Sequence, residues 1–524
     1  MNEPANPVHF VSAPGVRWSR VNAAESTPSL TKPLGWDFYG NGTNLTWRRI
    51  FENFGLIGQN EPMPAGGDEG YMRAIYARAT INVDTVIAAM DLFPGDHSGD
   101  HAREILSEDV SAAESGQAER TFDEERYLRY REDVRAIVER EFDETLAFWR
   151  DHVGLQGLRE GKDPASTFED AFERYVSVQT NHSANSTLCQ QYFSQATRLA
   201  ERAGLGELAS SLTTGIGDTF DTRSMARLWQ VSRGKATLED YLGEFGFQTS
   251  TGDDLSGHSW RENPASLRAL VGNYQKMDES SSPFAHEHER VEQRQALEER
   301  IIAALPVDEQ GEARKLFDLL ASSTRVRELG KASYRIALDV ARAAARAQGA
   351  VLHKQGRIDG PEDIFLLVRT EAFGDAEDLR GIVAERKAIL ELYATYDIPQ
   401  AWTGDLEPAL IEALADDGGV VSGLGVSAGV IEGTVRLILD HSSAEDMEPG
   451  EILVTNTTDP SWGPFFVAAG ALVIDVGGAM SHGAIIAREL GIPCVINTKN
   501  GTRRLKDGMT VRVDGNTGTV EVLH

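Results

Sequence analysis

Apolar positions along the chain fall into three textures. From about residue 121 to 350 they recur at helical spacing, as in Phe142, Leu146, Phe148 and Trp149, and again in Ile336, Ala337, Val340, Ala341 and Ala344. The stretch Gly246–Pro264, rich in Gly, Ser, Thr and Asp, interrupts these helices, and one more helix is expected over 375–396. Ahead of them, residues 1 to about 70 carry Pro, Gly, Asn and Trp with little period, which predicts irregular structure with short strands. A helix is expected over Tyr71–Met90, ended by the turn at Phe93-Pro94-Gly95-Asp96, with an exposed loop over 96–120. No unit repeats at a fixed period, so a solenoid is not expected.

The third texture begins after the acidic, Gly-containing stretch Ala415–Gly419. Short β-rich runs follow: Val435–Leu439, Glu451–Val454, Ala471–Ile474, Cys494–Ile496 and Thr510–Val513. The expected architecture is multidomain. A mainly α-helical domain with some β (α+β) covers 1–374, a helical linker or hinge covers 375–419, and a small α/β domain covers 420–524.

Length and composition change this picture little. The 524 residues allow two to four domains, and 41% hydrophobic content supports a large core without disulfides. The two cysteines, Cys189 and Cys494, form no C-x-x-C pair, and no metal site is expected. Charge is more telling: the formal net charge of −30 disfavours nucleic acid and anionic membranes as partners. The N-terminus lacks a basic flank with an apolar run, and no apolar stretch reaches about 18 residues, so a cytoplasmic protein is expected.

Candidate chemistry concentrates between Asp475 and Pro493. A buried strand ends at Asp475, and Gly477 and Gly478 allow a tight turn. Ser481 suits a helix N-cap, which makes His482 the first helical residue. Ala484, Ile485, Ala487 and Leu490 supply the buried side, and Gly491 and Pro493 stop the helix. A helix start offers backbone N–H groups and a positive dipole end to an anion. An imidazole there is a nucleophile near neutral pH, and a phosphorylated imidazole remains a reactive donor.

This segment resembles the phosphohistidine swivelling domain of the PEP-utilising, dikinase-type family, which includes phosphoenolpyruvate synthase, pyruvate phosphate dikinase and rifampicin phosphotransferase. The pattern G-G-x-x-S/T-H-x-A-x-x-A-R-E-x-G-I-P is matched by Gly477, Gly478, Ser481, His482, Ala484, Ala487, Arg488, Glu489, Gly491, Ile492 and Pro493. Gly483 is a common alternative to Ala after the His. The resemblance extends over 420–524, through Gly425–Gly429, Thr458–Trp462, Leu505–Gly508 and Val513–Gly515. It implies that His482 carries a phosphoryl group, supported by Gly477, Gly478, Ser481 and Thr458.

Nothing in the chain resembles the family's ATP-grasp domain. The resemblance therefore implies a separate ATP-grasp-type partner subunit that binds ATP and Mg2+ and phosphorylates His482, releasing AMP and inorganic phosphate. Far fewer residues follow His482 than the roughly 250 of a pyruvate-binding barrel, so pyruvate is not the expected acceptor.

Residues 1–375 instead resemble the acceptor domain of rifampicin phosphotransferase and of aryl-phosphate synthases such as those acting on phenol or 4-methylphenol. Three segments carry this: Trp18–Glu25 with Thr31–Trp36; Tyr241–Gly246 with Trp260–Pro264; and Arg327–Lys331 with Gly356–Phe365. Where that family often reads Gly-His-Arg-Gly, this chain has Gly246-Phe247-Gln248-Thr249, a departure that weakens the rifamycin assignment. Arg327 and Lys331, four apart, share a helix face and are the expected cations for the transferring phosphoryl oxygens. Trp18, Trp36, Phe38 and Tyr39 are candidates for an acceptor pocket, and Glu25 for orienting the hydroxyl.

The expected function is a two-subunit, ATP-dependent phosphotransferase acting on a small phenol to give an aryl phosphate, because a phenol ionises more readily than an alkanol. The alternatives are an antibiotic (rifamycin-like) phosphotransferase, and a phosphohistidine carrier or regulatory protein without a small-molecule product.

Overall fold

The helical register of the middle of the chain is realised almost without interruption. The computed structural model describes residues 6–27, 29–58, 70–94, 122–217, 219–249, 252–279, 282, 287–410, 420–439, 447–458, 460–478 and 481–523. Helices run over Glu124–His152, Pro164–Arg202, Phe220–Ser232, Leu238–Phe245, Ala265–Lys276, Glu287–Ala303 and Val307–Lys354. Their starts follow capping chemistry. Asp123 accepts the Arg126 N–H at 3.0 Å, and Thr219 and Thr237 each anchor a capping box. The described residues of the expected break over Gly246–Pro264 are non-helical and include a bridge between Thr249 and Ser259. The expected loop over 96–120 and the acidic stretch Ala415–Gly419 lie outside the described residues.

The chain forms two compact units. One comprises Met1–Ala184, Thr251–His258 and Gly330–Ala413; the other comprises Asn185–Ser250, Ser259–Leu329 and Leu414–His524. Both boundaries of the central region fall inside helices, Pro164–Arg202 and Val307–Lys354, so the units do not follow the segments 1–374, 375–419 and 420–524. The linker segment contains the helix Leu379–Ala394 and short strands at Tyr396–Asp397, Ala401–Thr403 and Ala409–Leu410.

The first unit corrects two expectations. Residues expected to be irregular include a 21-residue helix, Pro33–Asn53. Its glycines are there for packing rather than for turning: a Cβ on Gly40 would lie 2.6 Å from the Trp36 indole, and one on Gly42 would lie 2.7 Å from the Tyr175 ring. Tertiary contact thus overrides low helix propensity. The helix expected over Tyr71–Met90 is instead a hairpin, Met72–Ile75 with Arg78–Asn82, and only Val83–Met90 is helical. Its two-residue turn is Tyr76-Ala77, with φ of 49° and 58°. Type I′ turns need positive φ at both positions and usually announce themselves with Asn or Gly; this one does not.

The hairpin extends into a four-stranded antiparallel sheet through Arg17–Ser19 and Ala401–Thr403. Elsewhere in this unit a buried polar network fixes the segment Thr251–His258. Asp339 accepts from Trp149 Nε1 at 2.8 Å and from Arg342 Nη1 at 3.0 Å, while Arg342 also donates to the carbonyls of Asp254 and Leu255. Each charge is neutralised and hydrogen-bonded, the condition under which buried ions are tolerated.

In the second unit the five β-rich runs all form strands, at Val430–Leu437, Ile452–Thr455, Ala471–Ile474, Cys494–Ile496 and Thr510–Asp514. Three strands outside those runs, Val421–Ser422, Leu424–Ser427 and Thr519–Val522, complete an eight-stranded mixed sheet. Its centre is parallel: Val430–Leu437, Ile452–Thr455, Ala471–Ile474 and Cys494–Ile496 lie side by side in that order. Val435, Ile452, Val454, Val473 and Val495 are fully buried there, which explains the near-continuous apolar runs. The helix His482–Leu490 is the crossover between the last two parallel strands.

Candidate functional site

The strand Ala471–Ile474 delivers the chain to Asp475, whose buried carboxylate accepts from Thr498 Oγ1 at 2.6 Å and from the Thr502 N–H at 3.1 Å. This clasp fixes the strand end from which the turn departs. Gly477 then passes close to Ser481, where a Cβ would stand 3.0 Å from Ser481 Oγ, and the Ser481 N–H donates to the Gly478 carbonyl at 3.0 Å. Ser481 occupies the N-cap position with extended backbone, as expected, but its hydroxyl makes no capping bond, which corrects the expectation drawn from its side chain. His482 is the first helical residue, and Gly491, at φ 69°, ends the helix in a left-handed cap.

Gly483 stands against Thr458. A Cβ there would lie 2.7 Å from Thr458 Oγ1 and 2.6 Å from Ile474 Cδ1. The candidate support residue Thr458 is thereby set beside the first turn of the His482 helix. The Phe466 ring lies 6.0 Å from the imidazole, centroid to centroid.

The imidazole does not face solvent. His482 Nε2 lies 3.2 Å from Asp221 Oδ2, and the two side chains are 6% and 3% exposed. Asp221 belongs to the first turn of Phe220–Ser232, beginning one residue after the Thr219 cap. Its charge also acts on Tyr241, whose hydroxyl is raised well above its ordinary pKa, chiefly by burial; the Ser224 hydrogen bond opposes this and Asp221 adds to it. At the far end of the His482 helix, Glu489 accepts the Gly215 N–H at 2.7 Å and the Arg290 Nε–H at 3.1 Å. Burial pushes the Glu489 carboxyl up, with Arg290 and the Gly215 N–H opposing. Further contacts in the same unit run from Asn273 to the Met447 carbonyl and from the Tyr274 hydroxyl to the Pro464 carbonyl.

The remaining candidates lie on other elements. Arg327 and Lys331 lie one turn apart on Val307–Lys354, both half-buried. Trp18 is fully buried and donates its indole N–H to Ser12 Oγ at 2.7 Å. Phe38 and Tyr39 are also buried, and Phe38 packs edge-on against Phe168 and Phe172. Trp36 is half-buried over Gly40. Glu25 lies in the short helix Val21–Ser26, and its side chain is outside the described residues. Among the described residues no group of three or more His, Cys, Asp or Glu side chains is placed to hold a metal ion, and no helix is long and apolar enough to cross a membrane. Sequence reasoning missed Asp221 and Arg290. Thr219 to Thr222 reads only as an ordinary helix start, and Arg290 sits in a run of charges without a motif.

Comparison with known proteins gives the class first. Residues 447–518 match the mobile domain of PEP-utilising enzymes, and residues 203–328 match the rifampicin phosphotransferase fourth domain. The resemblance to the PEP-utilising swivelling-domain family is thus borne out, and both partners of the His482–Asp221 contact fall within matched segments. Among individual proteins, the chain is 32% identical to a rifampicin phosphotransferase of Streptomyces sviceus over 320 residues, covering 59% of this chain and 37% of that protein. It is 33% identical to one of Bacillus subtilis over 302 residues, covering 56% and 35%. An uncharacterised phosphotransferase of Bacillus subtilis is 28% identical over 319 residues, covering 57% and 38%. The chain thus matches little more than a third of the length of these relatives.

Proposed function

We propose that the chain carries an ATP-derived phosphoryl group on His482 and transfers it to an organic hydroxyl. One observation carries this reading: an imidazole at the first position of a helix that follows a parallel strand, inside the segment matching the mobile domain of PEP-utilising enzymes. The helix start favours the anion electrostatically. The imidazole takes the phosphoryl group as an N–P bond while a P–O bond of ATP breaks. The acceptor oxygen then displaces the nitrogen, giving a phosphate monoester. ATP and Mg2+ are held by an ATP-grasp-type partner subunit. Arg327 and Lys331 neutralise the transferring oxygens, and residues of 1–374 hold the acceptor.

The relatives' names favour a rifamycin-like hydroxylated acceptor over a small phenol. The phenol reading is kept on one observation: Phe247 and Gln248, which stand where the family has a basic pair, are buried apolar and neutral side chains.

The test mixes the purified chain with the ATP-binding partner and ATP labelled separately at the β and γ positions. Acid-labile label from the β position, absent in His482→Ala and absent without the partner, is the expected result. Rifamycin and 4-methylphenol are then compared for discharging it. Failure of His482 to take label from either position would sink the carrier reading.

A further inference from the structure

We infer that Asp221 is a latch that reads the phosphorylation state of His482, holding the bare imidazole and rejecting the phosphorylated one. The inference rests on the carrier reading above. Its starting point is the burial of the pair: with the ring 6% exposed against a carboxylate that is 3% exposed, a phosphoryl donor has no approach to Nε2. The reactive arrangement must therefore differ from this one.

The position of the carboxylate points the same way. With Asp221 Oδ2 3.2 Å from Nε2, the carboxylate stands where phosphorus would approach that nitrogen. Attack on phosphorus requires the Nε2 lone pair, which release exposes, and the neutral ring gives up its proton as it is charged. The N–P bond then forms as the donor P–O bond breaks. Nε2 now bears a phosphoryl group with up to two negative charges, at the atom that faced Asp221. Three phosphoryl oxygens cannot share that buried space with a carboxylate, and like charges there repel strongly.

Delivery reverses the state. The N–P bond breaks, the acceptor oxygen takes the phosphorus, and the proton lost by the acceptor hydroxyl returns to the ring. Nε2 again faces Asp221. The Glu489–Arg290 and Glu489–Gly215 contacts involve no atom of the imidazole. They supply attachment in either state, whereas Asp221 supplies the dependence on state. The discharged imidazole is thus held against Asp221, and the phosphorylated one is driven from that carboxylate.

Hydrogen exchange on the full chain tests this, read at the helices Phe220–Ser232 and His482–Leu490. His482→Gln, a neutral side chain, is expected to keep protection, while His482→Glu loses it by about 10- to 100-fold, the range of ordinary coupling energies. The double variant Asp221→Asn, His482→Glu regains protection, because the repelling charge is gone. Exchange at the strand Cys494–Ile496 separates release from unfolding of the sheet, staying slow in the first case only. Equal protection in His482→Glu and His482→Gln, or no recovery in the double variant, would overturn the latch. Charging of the wild-type chain by the ATP-binding partner with ATP, read as acid-labile label on His482, tests the carrier reading separately. Phosphohistidine with unchanged protection defeats the latch alone. No phosphohistidine despite release in His482→Glu defeats the carrier reading and leaves the coupling of position 482 to Asp221 standing.

Discussion

Glu489 and Arg290 form an ion pair at 3.1 Å, with their side chains 11% and 15% exposed. Glu489 lies in the last turn of the helix that begins at His482, so this pair and the Gly215 N–H pin the far end of that helix to the 203–328 region. Removing the carboxylate by Glu489→Ala leaves a largely buried guanidinium and an N–H without their acceptor. The expected cost is about 1–3 kcal/mol of docking free energy, visible as faster exchange in both contacting segments. An unchanged exchange pattern would show that the pair is incidental.

The same carboxyl sets a pH dependence. Burial raises its pKa above the ordinary 4.5 more than Arg290 and the Gly215 N–H lower it. For an acid whose pKa is raised in the docked state, that state binds more protons across the window between the two values. This contribution to docking is therefore greatest below about 4.5 and falls as pH rises through the raised value. Glu489→Gln removes the titration, so the difference in docking between wild type and variant is expected to slope with pH across that window. A flat difference would refute the assignment.

Arg327 and Lys331 are expected to act on transfer and not on charging. Arg327→Ala and Lys331→Ala each lower single-turnover discharge of phosphohistidine to the acceptor by about 100- to 1,000-fold, the usual effect of losing one stabilising donor of transition-state charge. Formation of the label from ATP and the partner stays at the wild-type rate. Arg327→Lys restores only part of the loss, because an ammonium lacks the planar fork. Equal effects on charging and discharge would place both residues in folding instead.

The parts of this protein legible in its sequence are those where local pattern and tertiary demand coincide. His482 is announced by glycines, a cap residue and a Gly-x-Pro stop all in register, and the buried parallel strands around it are apolar without interruption. Asp221 is not announced, because a first-turn aspartate is ordinary helix chemistry and only the fold brings it to the imidazole. The Tyr76-Ala77 turn escaped because its positive φ values are held by the surrounding sheet rather than by glycine. The aromatic residues near the N-terminus invited a pocket assignment, yet Trp18, Phe38 and Tyr39 are packed as core.

The glycines of Pro33–Asn53 invert the usual rule for helices. In an exposed helix Gly→Ala stabilises by roughly 0.5–1 kcal/mol. At Gly42 the new methyl would meet the Tyr175 ring at 2.7 Å, and that ring is fully buried with no room to turn aside. Gly42→Ala is expected to destabilise the chain by about 1–3 kcal/mol, read as a lowered urea midpoint. Tyr175→Leu in the same background should recover part of the loss. Stabilisation by Gly42→Ala alone would mean that the contact relaxes at no cost.

A sign reversal at Gly483 gives the sharpest test of the geometry beside His482. A methyl at this position collides with Thr458 Oγ1 at 2.7 Å and with Ile474 Cδ1 at 2.6 Å. The isoleucine methyl is the end of a flexible chain and can shift. The threonine oxygen sits one bond from its backbone-anchored Cβ and cannot move far. Overpacking of about 1–3 kcal/mol therefore opposes the helix-propensity gain, and Gly483→Ala is expected to lower the stability of the mobile domain by about 1 kcal/mol. In a Thr458→Ala background the collision with oxygen is gone, and the same substitution should become stabilising by about 0.5 kcal/mol. Thr458→Ser retains the oxygen and should not reverse the sign. Chemical denaturation of the single and double variants measures all of these terms. An identical effect of Gly483→Ala in the wild-type and Thr458→Ala backgrounds would show that Thr458 does not constrain the first turn of the His482 helix.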